Sequence, residues 1–217
     1  MFKGVNRVIK VLVYSDFILN YGWGFLSPIF SLFIAQEITN GNLEKALEVA
    51  GLSAFFYWIP KSILQIPIAR YLDKNHGEKD DFTLMLIGTF MTGIVPIMYL
   101  LSTAPWHIYL AQIVHSIAMA LVIPAWTAIF TRHIDKGKEA LEWSLWSTFV
   151  GVGAGIAAAM GGVATAFLGF KLILAFVGLF TFLAAILLIF IRKQLFSTIQ
   201  ATHIGQPVKT PNEEGTW

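Results

Sequence analysis

Long apolar stretches alternate with short polar segments along almost the whole chain. Each of six stretches holds about 20 or more mostly apolar residues, the helical length that crosses a hydrocarbon core of about 30 Å. They lie at residues 11–35, 49–69, 82–101, 106–131, 141–168 and 172–191. The pattern predicts an all-α integral membrane protein in which residues 11–193 form a domain of six transmembrane helices. Residues 1–10 form an arm, and the Pro-containing residues 194–217 are predicted to be a disordered tail.

Basic residues are concentrated in alternate loops. The arm, the second and fourth loops and the tail contain Lys3, Arg7, Lys10, Arg70, Lys74, Lys79, Arg132, Lys136, Lys138, Arg192, Lys193 and Lys209. The other three loops hold only Lys45 and Lys171. Because basic loops stay in the cytoplasm during insertion, both termini are predicted to be cytoplasmic. The protein is expected in the cell membrane, that is, the inner or plasma membrane. The basic residues form no continuous stripe, which argues against a nucleic-acid partner.

Composition supports the membrane class and excludes several kinds of site. Hydrophobic residues make up 56% of the chain and charged residues 13%, against about 25% charged residues in soluble domains. The chain has no Cys, which excludes thiolate metal sites and Cys nucleophiles. No zinc-protease, nucleophile-elbow or phosphate-loop motif is present. We therefore predict no enzymatic activity, no metal and no cofactor.

Polar residues recur at helical spacing in three of the predicted spans. Lipid offers no hydrogen-bond partner, so such faces are expected to line a cavity or an interface. In the first span the polar face includes Ser27 and Ser31, and in the second it includes Ser53. Spans three and six carry few polar side chains and are predicted to form the lipid-facing periphery. The candidate substrate or cavity residues are Lys61, Asp16, Asn20, Tyr57, Gln65, Gln112 and His115.

Three of these candidates have competing interpretations. Lys61 lies near the middle of span two, where a Lys costs about 2.5–3.5 kcal/mol on insertion scales, so a role in a cavity or an ion pair is favoured over snorkelling. Asp16 lies near the cytoplasmic end of span one, and it is either an interfacial carboxylate or a functional partner that neutralises Lys61. His115 either moves protons and binds substrate or simply packs.

Small residues recur every four positions along the fifth span. Gly151, Gly155 and Ala159 form one row, and Ala154, Ala158 and Gly162 form a second row beside it. Rows of small residues let helix backbones approach closely. The predicted contact is either within one six-helix unit or across a two-fold interface.

Several short motifs together resemble one half of a major facilitator superfamily transporter. The loop from Ala69 to Lys79 is similar to the family's G-x-x-x-D-R-x-G-R-R signature, with Ala69 for the first Gly and one extra residue before Gly77. The other matches are Gly22 with Pro28, Pro124-Ala125, Gly161-Gly162 and Gly169-Phe170-Lys171. The resemblance implies a cytoplasmic brace formed by Asp73, Lys74 and Gly77.

Other positions depart from the family pattern. Gln112 stands where many members carry an Arg in span four, and His115 replaces a Gln that often follows it. Ile156 occupies the position of a Pro in the antiporter signature of span five. The usual residues of proton-coupled antiport are therefore missing.

The resemblance also sets an expectation about assembly and function. Family members have twelve or more spans, in two similar halves that share one orientation. Two copies of this chain can rebuild that arrangement, so we expect a secondary transporter of a small solute that works by alternating access as a homodimer in membrane lipid. A fragment or half paired with another six-span chain, and a non-transporting scaffold or sensor, remain as alternatives. The Lys61 ammonium favours an anionic or zwitterionic solute.

Overall fold

The computed structural model describes residues 5–75 and 77–192, and this part of the chain is helical without β-strands. The elements in chain order are α1 (Arg7–Leu26), α2 (Phe30–Phe33), a π-helix (Ile34–Ile38), α3 (Leu43–Asn75), α4 (Glu78–Leu100), α5 (Pro105–His133) and α6 (Glu139–Ile189). The predicted disordered tail at residues 194–217 lies outside the described residues.

The helices have the length and composition of a membrane protein. Within the described residues, α4, α5 and α6 are each long and apolar enough to cross a bilayer, and α1 together with the α2 and π-helical segment makes a fourth span if that bent pair is counted as one. Helix α3 has 33 residues, a length of about 50 Å, but it is more polar than the others and does not meet the same criterion. The count of six spans stays a prediction.

The first predicted span is broken rather than continuous. Helix α1 ends at Leu26, α2 begins at Phe30, and the two parts are bent by 46°. Pro28 lies between them and cannot donate a backbone hydrogen bond, so an unbroken helix over residues 11–35 is not stable there. A π-helical turn at Ile34–Ile38 then leads into the loop before α3. The first predicted span therefore consists of a bent pair of helices.

Helix α6 runs through the predicted loop between the fifth and sixth apolar stretches. It is 51 residues long, and Gly169 is the residue within it that leaves helical geometry, with φ 74° and ψ 165°. Glycine adopts positive φ without a Cβ penalty, so it is suited to this break. We call residues 139–168 the first arm of α6 and residues 170–189 the second arm.

The helices bury two apolar clusters, one towards each end of the unit. Helix α1 packs mainly against α6, while α5 packs against both α3 and α4, and α4 also contacts α6. The cluster near the amino end of α1 includes Ile9, Leu12, Met85, Ile129 and Phe130, and the other includes Ile34, Val49, Tyr99, Ile108 and Ile173. The second arm of α6 buries Val177 and Thr181 while Leu179 and Leu183 are exposed, so one of its faces is available to lipid.

The four glycines predicted to mediate helix packing divide into two groups. A Cβ atom at Gly161 would lie 2.4 Å from the Phe25 carbonyl oxygen, so this glycine is required for the close approach of α6 to α1. A Cβ at Gly151, Gly155 or Gly162 would meet nothing within 4 Å among the described residues of the unit. These three glycines therefore mediate no close helix contact among the described residues of the unit. The alternative, a contact with a second unit, stays a proposal.

Candidate substrate cavity

A cavity of about 420 Å³ lies between α1, α2, α3 and α5, with one side chain from α4. Its volume falls in the range of about 300–1,000 Å³ that small-molecule sites occupy. Half of the lining side chains carry rings: Trp23, Phe30, Tyr57, Trp58, Tyr99 and His115. The others are Leu26, Ser27, Ser31, Ala50, Ala54 and Gln112. The wall is therefore aromatic with a few neutral polar groups.

Helical spacing explains how these side chains converge. Trp23 and Ser27 are four residues apart on α1, and Gln112 and His115 are three apart on α5, so each pair shares one helix face. The bend after α1 carries Ser31 over the same space. The cavity opens on the side where Ser27, Ser31 and Trp58 are exposed.

His115 contacts rings from two other helices. Its ring centroid lies 4.3 Å from that of Trp23, with the planes at 19°, and 4.8 Å from that of Tyr57. Trp23 is held in turn because its Nε1 donates to the Thr181 Oγ1 at 3.1 Å. The imidazole is thus a fixed part of the aromatic wall. Gln112 is buried one turn away, and its amide can both donate and accept hydrogen bonds.

Lys61 lies beside the cavity rather than in its wall. Its side chain is buried, and its Nζ is 3.9 Å from the ring centroid of Trp58 and 5.2 Å from that of Tyr57. These are cation–π distances. None of the ion pairs among the described residues includes Lys61. Two cavity-lining rings therefore lie within cation–π distance of a buried cation.

Asp16 and Asn20 lie at another site. The Trp146 Nε1 donates to the Asp16 Oδ2 at 2.6 Å, and the Asn20 Nδ2 donates to the Asp16 Oδ1 at 3.1 Å. The bond from Trp146 connects α1 to the first arm of α6, whereas the bond from Asn20 lies within α1. The alternative pairing of Asp16 with Lys61 is not among the ion pairs of the described residues, and Asp16 is bound instead by Trp146 and Asn20.

The seven predicted cavity residues are thus divided between three places. Tyr57, Gln112 and His115 line the cavity, and Lys61 lies beside two of its rings. Gln65 is half-buried on α3, one turn beyond Lys61, and does not line the cavity. Sequence reasoning missed Phe30, Trp58 and Tyr99, because aromatic side chains in a span are equally compatible with lipid. The bend at Pro28 is the signal that could have placed Phe30 in the wall.

The charged residues that join helix ends are not those predicted for the brace. Asp73 and Lys74 are exposed at the end of α3, and Gly77 directly precedes α4. The ion pairs instead join the start of α4 to the end of α5: Arg132 with the fully buried Asp81, and His133 with Glu78 at 3.6 Å. The sequence could have indicated these pairs, since the acids stand at the start of the third span and the bases at the end of the fourth. We call these four residues the α4–α5 charge cluster.

Comparison with known proteins assigns the family. The family model of the Major Facilitator Superfamily matches residues 12–210. The chain belongs to this superfamily. A Methanocaldococcus jannaschii protein described as an uncharacterized MFS-type transporter is 25% identical over 183 residues, which is 84% of this chain and 45% of that protein. The chain therefore spans less than half the length of this relative.

Membership in the major facilitator superfamily confirms the resemblance drawn from the motifs. It indicates an integral membrane protein and points to a transporter rather than an enzyme. The family match extends over both arms of α6 and over every helix that lines the cavity.

Proposed function

We propose that the chain is one half of a secondary transporter that moves a small solute by alternating access. The aromatic cavity between α1, α3 and α5 contributes its side of a central substrate site. A second six-helix unit completes this site, and a second copy of the same chain is the favoured partner. Pairing with a different six-span chain is the alternative, as is a non-transporting membrane scaffold or sensor.

The observation that carries the proposal is a cavity with one open side in a chain that covers 45% of its relative's length. A scaffold has no need for a buried Lys61 and a buried Gln112 next to a cavity, because each polar group in a span costs free energy. In a transporter, a second unit covers the open side and makes the polar groups useful to a solute.

The exposed glycines of α6 support an external helix partner. Gly151, Gly155 and Gly162 are exposed, and their Cα positions have free space around them. Small residues at a helix surface allow another helix to approach closely. We place the contact with the second unit along this face of the first arm of α6.

The orientation follows from the basic loops. We propose that both termini are cytoplasmic, which puts Asn42 outside the cell and Lys74 inside. An impermeant thiol reagent added to intact cells is expected to label Asn42→Cys and to leave Lys74→Cys unlabelled, and the Cys-free chain supplies a clean background. The reverse labelling pattern would overturn the orientation.

Alternating access is tested at Ser27, which is exposed and lines the cavity. In right-side-out and inverted vesicles, Ser27→Cys is expected to react with an impermeant maleimide from both sides, because the cavity opens in turn to each. Asn42→Cys is the matched control and is expected to react from one side only. Reaction of Ser27→Cys from a single side under all conditions would contradict alternating access.

A further inference from the structure

We propose that the cavity selects flat organic anions, with an aromatic or other planar apolar body and a single carboxylate or similar acidic group. The inference rests on the proposed function only in treating this cavity as the substrate site. It goes further in naming both the shape and the charge of the solute.

The shape follows from the rings of the wall. Trp23 and His115 stack with their planes at 19°, and the Tyr57 ring contacts the same imidazole with its plane tilted by 44°. Phe30 and Tyr99 add two further rings whose centroids are 5.4 Å apart. Flat ring faces gain most from a flat apolar partner, by area burial and by stacking. Ser27, Ser31 and Gln112 are the polar side chains without rings in this wall.

The charge follows from Lys61. Its ammonium already occupies a face of the Trp58 ring at 3.9 Å and lies 5.2 Å from the Tyr57 centroid. Aromatic cavities attract cations through their ring quadrupoles, but here the protein supplies that cation itself. A second positive charge in the cavity would be repelled by it.

The cation also lacks a counterion among the described residues. No Asp or Glu lines the cavity, and Asp16 is bound by Trp146 and Asn20. A buried charge without a partner is costly, and an opposite charge brought close to it recovers part of that cost. At an effective dielectric constant of about 20, a unit charge some 10 Å away changes affinity by about tenfold. A ligand carboxylate would therefore supply a counterion for the Lys61 ammonium.

The test compares four probes on the purified full chain in lipid nanodiscs by isothermal titration, with empty nanodiscs as blanks. The probes are 2-naphthoate, the neutral 2-naphthalenemethanol, the cationic 2-naphthylmethylammonium and acetate. We expect naphthoate to bind with a Kd at least about tenfold lower than that of the alcohol, the ammonium compound to bind more weakly than the alcohol, and acetate not to bind measurably.

Variants separate charge from packing. Lys61→Gln is expected to remove the preference for naphthoate over the alcohol while the alcohol binds as before. Lys61→Arg is expected to keep the preference, since it keeps the charge. Lys171→Gln, an exposed Lys outside the cavity, is the matched control and is expected to leave all affinities unchanged. Tyr57→Leu is expected to weaken naphthoate and the alcohol together.

The remaining outcomes overturn the inference. Tightest binding of the ammonium compound would refute the charge, and acetate binding as tightly as naphthoate would refute the planar body. Binding that Tyr57→Leu leaves unaltered, or no binding of any probe, would refute the cavity as a site for flat anions. Two-sided labelling of Ser27→Cys is independent of all four probes, so the transporter proposal stands or fails separately.

Discussion

The α4–α5 charge cluster and the cavity both contain charged groups within the helical bundle, but they treat charge differently. In the cluster, acids face bases across two helices: Asp81 pairs with Arg132, and Glu78 with His133. Beside the cavity, the Lys61 ammonium lies near two rings, and no ion pair among the described residues joins it to a carboxylate. In the cluster, the charged groups find their partners within one unit, whereas the Lys61 ammonium remains available to a group from outside the unit. The comparison separates residues that hold the unit together from residues available for function.

The largest expected effect comes from breaking the balanced region. Arg132→Met leaves the Asp81 carboxylate buried without its cation, and we expect the free energy of unfolding in detergent to fall by about 3 kcal/mol. The double variant with Asp81→Asn is expected to recover much of this loss, because no uncompensated charge remains.

The control for that effect is an exposed ion pair. Lys45 and Glu48 are 2.8 Å apart, with side chains 48% and 54% exposed. Lys45→Met is expected to cost less than about 1 kcal/mol. Equal losses of unfolding free energy for Arg132→Met and Lys45→Met would mean that the α4–α5 charge cluster does not stabilise the unit more than an exposed ion pair does.

A second prediction compares a packed glycine of α6, Gly161, with an exposed one, Gly155. Gly161→Ala forces a Cβ against the Phe25 carbonyl oxygen, so we expect a loss of about 2 kcal/mol in thermal or detergent unfolding. Gly155→Ala meets open space within the unit and is expected to stabilise an isolated unit by about 0.5–1 kcal/mol through helix propensity. A loss at Gly155 that grows with protein concentration would locate a subunit contact there.

A third prediction concerns the Asp16 carboxylate, which accepts hydrogen bonds from Trp146 and Asn20. Trp146→Phe removes the indole donor of the 2.6 Å bond to the Asp16 Oδ2, and we expect a cost of about 1–2 kcal/mol. Naphthoate affinity is expected to stay unchanged, since Asp16 does not line the cavity. Loss of ligand binding in this variant would instead connect Asp16 to the substrate site.

The smallest effect is expected at the motif-derived brace. Lys74 is exposed at the end of α3, so Lys74→Gln should change the stability of the unit by less than about 0.5 kcal/mol. Solute uptake into proteoliposomes is the informative measurement, because a brace that acts against a second unit affects transport and not the folding of one unit.

The apolar periodicity was sufficient to predict a helical membrane protein, and helical spacing placed Tyr57, Gln112 and His115 on faces that meet at one cavity. Spacing alone fixes the face of a helix, not its neighbour. This is why Asp16 was considered as a partner for Lys61, although the Trp146 indole reaches it from α6. Nothing in the sequence shows which side chain the Trp146 indole contacts.

Breaks in helices were only partly predictable. The loop expected between the fifth and sixth stretches reduces to one residue of positive φ at Gly169, because a Gly alone can redirect the chain. The bend after Leu26 depends on Pro28, which was visible in the sequence, but nothing in the sequence gives the angle of 46° or the π-helical turn, which packs against α3. The wall residues Phe30 and Ser31 reach the cavity because of that bend.

The central claim is that this unit is incomplete and works with a second six-helix unit over its open side. Native mass spectrometry of the purified full chain, released from nanodiscs, measures this directly. The account predicts a species of about twice the 24.1 kDa chain mass for the favoured homodimer, or the chain bound to another membrane protein of similar size. A stable monomer with neither partner, at concentrations where solute uptake is measurable, would contradict it.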